Sequence, residues 1–177
     1  PIMWSDTSPF TADTLDMQLA DNQIDRIFMK NNALILNSPD ELFFNQIKGK
    51  DIRVEFMEGE MDKMYVEGNA ETVYYARDDL DAYIGVNKTL CSEMVLYFGN
   101  NQVERIKFIT SPQSTLTPMQ RAKHETLKLK GFNWETEVRP KSLNDLFGEL
   151  PDRKNAVPVA NQVTGANAGK PGGAKSG

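Results

Sequence analysis

The stretch Asp51-Ile52-Arg53-Val54-Glu55-Phe56-Met57-Glu58-Gly59-Glu60-Met61-Asp62-Lys63-Met64-Tyr65-Val66 decides the fold. Ile52, Val54 and Phe56 alternate with charged residues, which is the two-residue period of a half-buried strand. Met57-Glu58-Gly59-Glu60 then interrupts the pattern. Glycine tolerates the positive φ that tight hairpin turns require. Alternation resumes with Met64 and Val66, so the stretch reads as a β-hairpin.

The same unit occurs three times. Phe10–Leu36 aligns with Ile47–Val73 without gaps at an offset of 37, placing Leu15, Met17 and Leu19 on Ile52, Val54 and Phe56. Ile24-Asp25-Arg26-Ile27 falls on Met61-Asp62-Lys63-Met64, and Met29 on Val66. A third copy follows at an offset of 42, with Met94, Leu96 and Phe98, then Val103-Glu104-Arg105-Ile106 and Phe108. Its turn is Gly99-Asn100-Asn101-Gln102, and that of the first copy is Ala20-Asp21-Asn22-Gln23. In the first two copies Asn31-Asn32 and Gly68-Asn69 predict a further turn, with a new strand beginning at Ala33 and Ala70. The acid–base pairs Asp25-Arg26, Asp62-Lys63 and Glu104-Arg105 recur at one position, where solvent-facing charge discourages edge-to-edge pairing.

A single hairpin cannot cover its own apolar face, so the copies must stack. Stacking predicts an all-β fold: an open, twisted β-jellyroll of antiparallel hairpin repeats, its two sheets facing each other across an apolar slot. A β-propeller needs about four blades and a Trp-Asp signature, and the chain has neither. The inward set is Leu15, Met17, Leu19, Ile27, Met29, Ile52, Val54, Phe56, Met64, Val66, Met94, Leu96, Phe98, Ile106 and Phe108. These residues either close into a core or hold an apolar guest, and methionine adapts to varied apolar partners. The first and last strands leave backbone groups that can add another chain.

Helix signals are few. Ser38-Pro39-Asp40-Glu41 has a capping pattern for one turn at most. Thr117-Pro118-Met119 and Ser142 start short helical segments, which predict a C-terminal cap carrying Phe132 and Trp134 onto the last strand.

The 177 residues suit one domain with a tail. Residues 150–177 hold five Gly, three Pro and no aromatic, and they carry a net charge of +3 against −8 for the rest. The expected division is a domain over 1–147 and a disordered Gly/Pro/Lys tail over 148–177. The chain begins with Pro, so it is expected to be processed or cut from something longer. An overall charge of −5 argues against wholesale nucleic-acid binding. One cysteine excludes an internal disulfide and a Cys-cluster zinc site.

No catalytic, metal or cofactor motif emerges. Cys91 lies beside the third copy as a structural thiol, and His124 sits in a Lys-rich stretch as an ordinary exposed imidazole. Asp78-Asp79-Leu80-Asp81 lacks the ligand series of a calcium loop. The chain reads as a non-enzyme.

Several stretches resemble the Bacteroidota branch of the OstA-like family, relatives of the periplasmic lipopolysaccharide-transport protein LptA. They are Pro1–Trp4 with Phe10–Thr14, Asn45-Gln46-Ile47-Lys48-Gly49-Lys50, Met61–Ala70, Tyr83–Thr89, Gly131-Phe132-Asn133-Trp134 and Arg139-Pro140. The resemblance covers roughly 1–147 and implies a C-terminal portion of a longer protein in the periplasm, associated with the outer membrane. It implies that the fifteen inward residues hold acyl chains of lipopolysaccharide between the sheets, with no catalytic residues. It also implies that related jellyrolls, or further copies of this chain, join end to end through edge strands. Each methylene moved from water into such a slot is worth about 0.8 kcal/mol. A non-lipid scaffold that binds protein through its edges is the competing reading.

Overall fold

The computed structural model describes residues 1–5, 8–100, 102–110 and 112–134. All belong to one compact unit, Pro1–Arg139. The expected tail and the helix at Ser142 lie outside the described residues.

Among the described residues nine strands form one antiparallel sheet: β1 (Ile2–Ser5), β2 (Ser8–Thr11), β3 (Thr14–Ala20), β4 (Gln23–Asn37), β5 (Asn45–Met57), β6 (Glu60–Arg77), β7 (Tyr83–Gly99), β8 (Gln102–Ile109) and β9 (Gln113–Pro118). The hydrogen-bonded order is β1-β2-β4-β5-β6-β7-β8, with β3 also on β4 and β9 also on β7. The all-β, open, antiparallel architecture is thus the one read from the repeats.

The two expected sheets are halves of a single sheet. β4 to β7 run for 13 to 18 residues, far beyond the usual five or six. Each changes register near its middle, between Lys30 and Ala33, Lys48 and Asp51, and Glu67 and Ala70. There Asn31, Asn32, Gly68 and Asn69 all have positive φ. The segments expected to be turns are therefore corners within continuous strands, and no new strand starts at Ala33 or Ala70. Side chains keep the corner tight: a Cβ on Gly68 would lie 2.7 Å from Cβ of Lys50, and one on Gly49 2.7 Å from Cγ1 of Val66. The corners line up across the sheet and fold it onto itself. One buried cluster accordingly joins Ile27, Val54 and Leu96 of the hairpin half to Phe10, Ala33 and Ile35 of the far half.

The outer side of the far half is covered by the segment after β9. Leu129 packs there on Val73, Tyr75 and Val86, with Phe43, Met119, Ala122 and Leu127 around them. This cover contains two short 3-10 turns, Met119–Arg121 and His124–Leu127, rather than an α-helix. Its backbone turns to the sheet for partners. The buried Gln46 side chain donates from Nε2 to the Leu127 carbonyl at 3.1 Å and accepts from the Leu129 amide at 2.8 Å. Phe132 and Trp134 stack on Phe44, at 5.1 and 4.9 Å between centroids, and Trp134 also meets Trp4 at 6.1 Å. The cap aromatics thus sit near the first strand and the β4–β5 loop, not on the last strand.

Candidate functional site

The inner face of the hairpin half is built in rows, one residue from each of β3 to β8. The row nearest the corners is Leu15, Met29, Ile52, Val66, Met94 and Phe108; the next is Met17, Ile27, Val54, Met64, Leu96 and Ile106. In the middle of both rows the side chains are packed: Met29, Val54 and Val66 are 0% exposed, and Ile27, Ile52, Met64, Met94 and Leu96 are also buried. The ends of the rows are different, because β3 and β8 are edge strands with a neighbour on one side only. Met17 and Leu19 are exposed on β3, and Ile106 and Phe108 on β8. Leu15, Phe56 and Phe98 are half-buried against the core. The fifteen predicted residues therefore divide into a dry centre and two open ends.

A third row had no complete counterpart in the sequence reading. Beyond the second row each hairpin contains a register shift, at Gln18/Leu19, Glu55/Phe56 and Tyr97/Phe98. The unpaired residues are Asp25, Asp62 and Glu104, the acids of the recurrent acid–base pairs. A bulge sets two residues against one and so resets the alternation. Leu19 is then opposite Ile24, Phe56 opposite Met61, and Phe98 opposite Val103, all on the inner face. Leu19 and Val103 are 65% and 44% exposed, and the four between them are half-buried. This rim is the inner row that solvent reaches at its middle members as well as at its ends. Behind the bulges, Asp25 pairs with Arg26 at 3.5 Å and Asp62 with Lys63 at 3.1 Å, while Arg105 lies over the Tyr97 ring at 4.0 Å.

The far half carries the polar contacts. His124 is half-buried, not freely exposed: its Nδ1 lies 3.0 Å from the Tyr75 hydroxyl, and its ring sits 4.9 Å from that of Phe43. Burial raises the Tyr75 pKa. The expected turn at Ser38-Pro39-Asp40-Glu41 is a bend organised by Asp40. Partial desolvation pushes the Asp40 carboxyl up. Hydrogen bonds from Tyr83, the Leu42 and Phe43 amides and Ser38 outweigh it and bring the pKa down to about 2. A lowered folded-state pKa means stability that is present above the ordinary value of 3.8 and lost as pH falls toward about 2. Urea unfolding across that window will show a smaller acid-side loss for Asp40→Asn than for the unaltered protein; equal losses would remove Asp40 from the account of acid stability.

Cys91 lies within β7, half-buried, its thiol donating to the Glu93 carbonyl at 3.2 Å. Burial pushes its pKa up, the opposite of an activated thiolate. A polar cavity of about 240 Å³ beside it is lined by Asn69, Glu71, Ser92 and Gln113 among others, where β8 and β9 part along β7. Among the described residues no group of three His, Cys, Asp or Glu gathers to hold a metal ion, and no helix is long and apolar enough to cross a membrane. No model of a protein family, no characterised protein and no solved structure matches this chain.

Proposed function

We propose that this chain is an end-joining module of an acyl-lipid conduit, with lipopolysaccharide as the cargo that the OstA-like resemblance implies and the periplasmic side of the outer membrane as its place. The observation that carries the reading is the complementarity of the two open edges. β3 presents Leu15, Met17 and Leu19 on its inner face and Asp16 on its outer face. β8 presents Ile106 and Phe108 inside and Arg105 and Lys107 outside, and all eight of its residues are exposed.

Four antiparallel strands separate the two edges, so β3 and β8 run in opposite directions. Translating one copy along the sheet sets β8 beside the next β3 in antiparallel sense. One register puts Met17 opposite Ile106, Leu15 opposite Phe108 and Asp16 opposite Lys107. Apolar residues then meet inside and opposite charges outside, each such cross-strand pair favouring association by up to about 1 kcal/mol. Pairing β8 with itself opposes Arg105 to Lys107 or sets a cation against its own copy, which costs instead. Asp16 is held by Lys30 at 3.3 Å in the free edge, an exposed pair that can exchange partners.

The dry centre favours a second reading, in which the same edges join protein modules and the slot carries no lipid. In a Cys91→Ser background, Met17→Cys protein mixed with Ile106→Cys protein will form disulfide-linked dimers under mild oxidation, while neither does so alone. Dimers from Ile106→Cys alone would mean a two-fold contact and would end the head-to-tail reading. Mass spectrometry of organic extracts then separates the two: acyl lipid co-purifying with the protein supports a conduit, and its absence supports the scaffold.

A further inference from the structure

The open edges extend past the corner. β2 and β3 lie end to end on β4 and run in one direction, and β8 and β9 do the same on β7. β1 is added beyond β2, on the far half alone. We propose that β1 is a strap on the seat of a second copy's β9, and that a complete end-to-end joint releases it. The inference rests on the head-to-tail reading and adds what must move for that joint to close over both halves.

At the corner every neighbouring pair of strands slips by one residue. Lys30 faces Asp51 but Ala33 faces Gly49; Asp51 faces Glu67 but Lys48 faces Glu71; Glu67 faces Glu93 but Ala70 faces Cys91. The outer pairs do likewise: Thr14 faces Lys30 but Thr11 faces Leu34, and Glu93 faces Ile109 but Leu90 faces Gln113. A joint that sets Met17 on Ile106 and keeps this slip brings Thr11 onto Gln113, Phe10 onto Ser114, Pro9 onto Thr115 and Ser8 onto Leu116. β9 then runs antiparallel to β2, as β8 does to β3. The faces agree as well, because Phe10 and Ser114 end one cross-sheet row that passes through Ile35, Ile47, Thr72 and Thr89.

Those residues of β2 are already taken. Ile2, Met3, Trp4 and Ser5 face Thr11, Phe10, Pro9 and Ser8. β1 and an incoming β9 thus claim the same edge, in the same direction, residue for residue. With β1 kept, the far halves of two copies are held apart by one strand more than the hairpin halves, about 4.8 Å, and β9 meets β1 in parallel sense.

β1 is built to leave. It has four residues, none of them buried. Its anchors are Met3 against the core and Trp4 against Trp134. The indole nitrogens of both tryptophans are buried without a hydrogen-bond partner among the described residues, so the anchor leaves two donors unsatisfied. A short edge strand of this kind opens at lower cost than the long strands inside the sheet. β9 offers Gln113, Ser114, Thr115 and Leu116 in exchange for Ile2, Met3, Trp4 and Ser5, which is less apolar surface. It does not displace β1 unaided, and the pairing of β8 with β3 supplies the rest. β1 therefore sets a threshold that contact over the hairpin half must exceed.

The disulfide-linked dimer of Met17→Cys and Ile106→Cys protein, both in the Cys91→Ser background, tests this by hydrogen exchange and mass spectrometry against its two monomers. Labelling the Met17→Cys copy with nitrogen-15 tells the copies apart. Exchange in residues 2–5 should speed up in the Met17→Cys copy alone, and exchange in residues 113–117 should slow in the Ile106→Cys copy alone, each by roughly tenfold or more. Trp4→Ser, which loosens the strap, should speed dimer formation severalfold when the Met17→Cys copy carries it and leave the rate unchanged when the Ile106→Cys copy does. Circular dichroism checks that the fold persists. A dimer in which either strand exchanges as in the monomers, or a Trp4→Ser effect equal in both copies, overturns the strap and leaves the head-to-tail reading intact. Failure of the two proteins to form a dimer at all overturns that reading and the strap with it.

Discussion

Val54→Asp is expected to destabilise the fold by more than about 4 kcal/mol, most of the stability of a domain at the low end of the ordinary range of about 5–15 kcal/mol. Val54 is 0% exposed, in the centre of the hairpin half, opposite Ile27 on β4 and Met64 on β6. Its neighbours on the inner face are aliphatic, and Met29, Ile52, Val66 and Leu96 belong to the same buried cluster. None of these can donate a hydrogen bond, so an aspartate there keeps an unpaired charge or takes up a proton and still lacks a partner. Val54→Ala is the control, since it removes two methyl groups without adding polarity and should cost only about 1–2.5 kcal/mol. Urea unfolding followed by circular dichroism separates the two. A Val54→Asp protein within about 1 kcal/mol of the unaltered one would mean that water fills the slot. That outcome would also restore the central rows as a lipid path.

How much of this was legible in the sequence depends on which physical signal carried it. The hairpins were legible because alternation and turn residues act over a few residues, and three copies gave the same answer. The folding line was half legible. Asn31-Asn32 and Gly68-Asn69 announce positive φ, but local sequence does not say whether the chain reverses there or bends and continues. That choice is made by the partner strands, which run on past the corner: Ala33 pairs with Gly49 and Ala70 with Cys91.

The rim is the instructive case. Counting by twos from Ile27 puts Asp25 inside and Ile24 outside, and the same count from Met64 and Ile106 puts Met61 and Val103 outside. The structure reverses this because Asp25, Asp62 and Glu104 are extra residues in their strands. The signal was present in every copy as an apolar residue three positions before another, Ile24 and Ile27, Met61 and Met64, Val103 and Ile106. Only a bulge reconciles that spacing with a single inner face. The charge of the acids pointed instead to edge protection, yet Asp62 lies in β6, inside the sheet. The exposed ends at Met17, Leu19, Ile106 and Phe108 follow from strand order, which no strand's own sequence records.

Gln46→Met is expected to release the cover over the far half. The Gln46 amide is 2% exposed and serves two backbone groups, the Leu127 carbonyl at 3.1 Å and the Leu129 amide at 2.8 Å. It does for residues 127–129 what another strand's backbone would do. Methionine fills similar volume but offers neither donor nor usable acceptor, so both groups stay buried without partners at about 1–3 kcal/mol each. The strain falls on the covering segment, whose few apolar anchors are Leu129, Leu127, Met119 and Ala122. The sheet beneath keeps its own ladder. Hydrogen exchange at Leu129 should therefore accelerate by orders of magnitude, with Ile52 and Val66 little changed, because partial opening costs less than global unfolding. Near-ultraviolet circular dichroism should lose the signal of the Phe43, Tyr75 and Tyr83 cluster that the cover seals. Gln46→Glu tests the directionality: protonated, its carboxyl can accept from the Leu129 amide and donate to the Leu127 carbonyl, whereas the buried carboxylate faces that carbonyl oxygen without a donor, so exchange at Leu129 should be faster at neutral pH than its intrinsic pH dependence accounts for and return toward that of the unaltered protein as pH falls. If Gln46→Met leaves exchange at Leu129 unaltered, the apolar anchors alone hold the segment and the buried amide is not what fastens it.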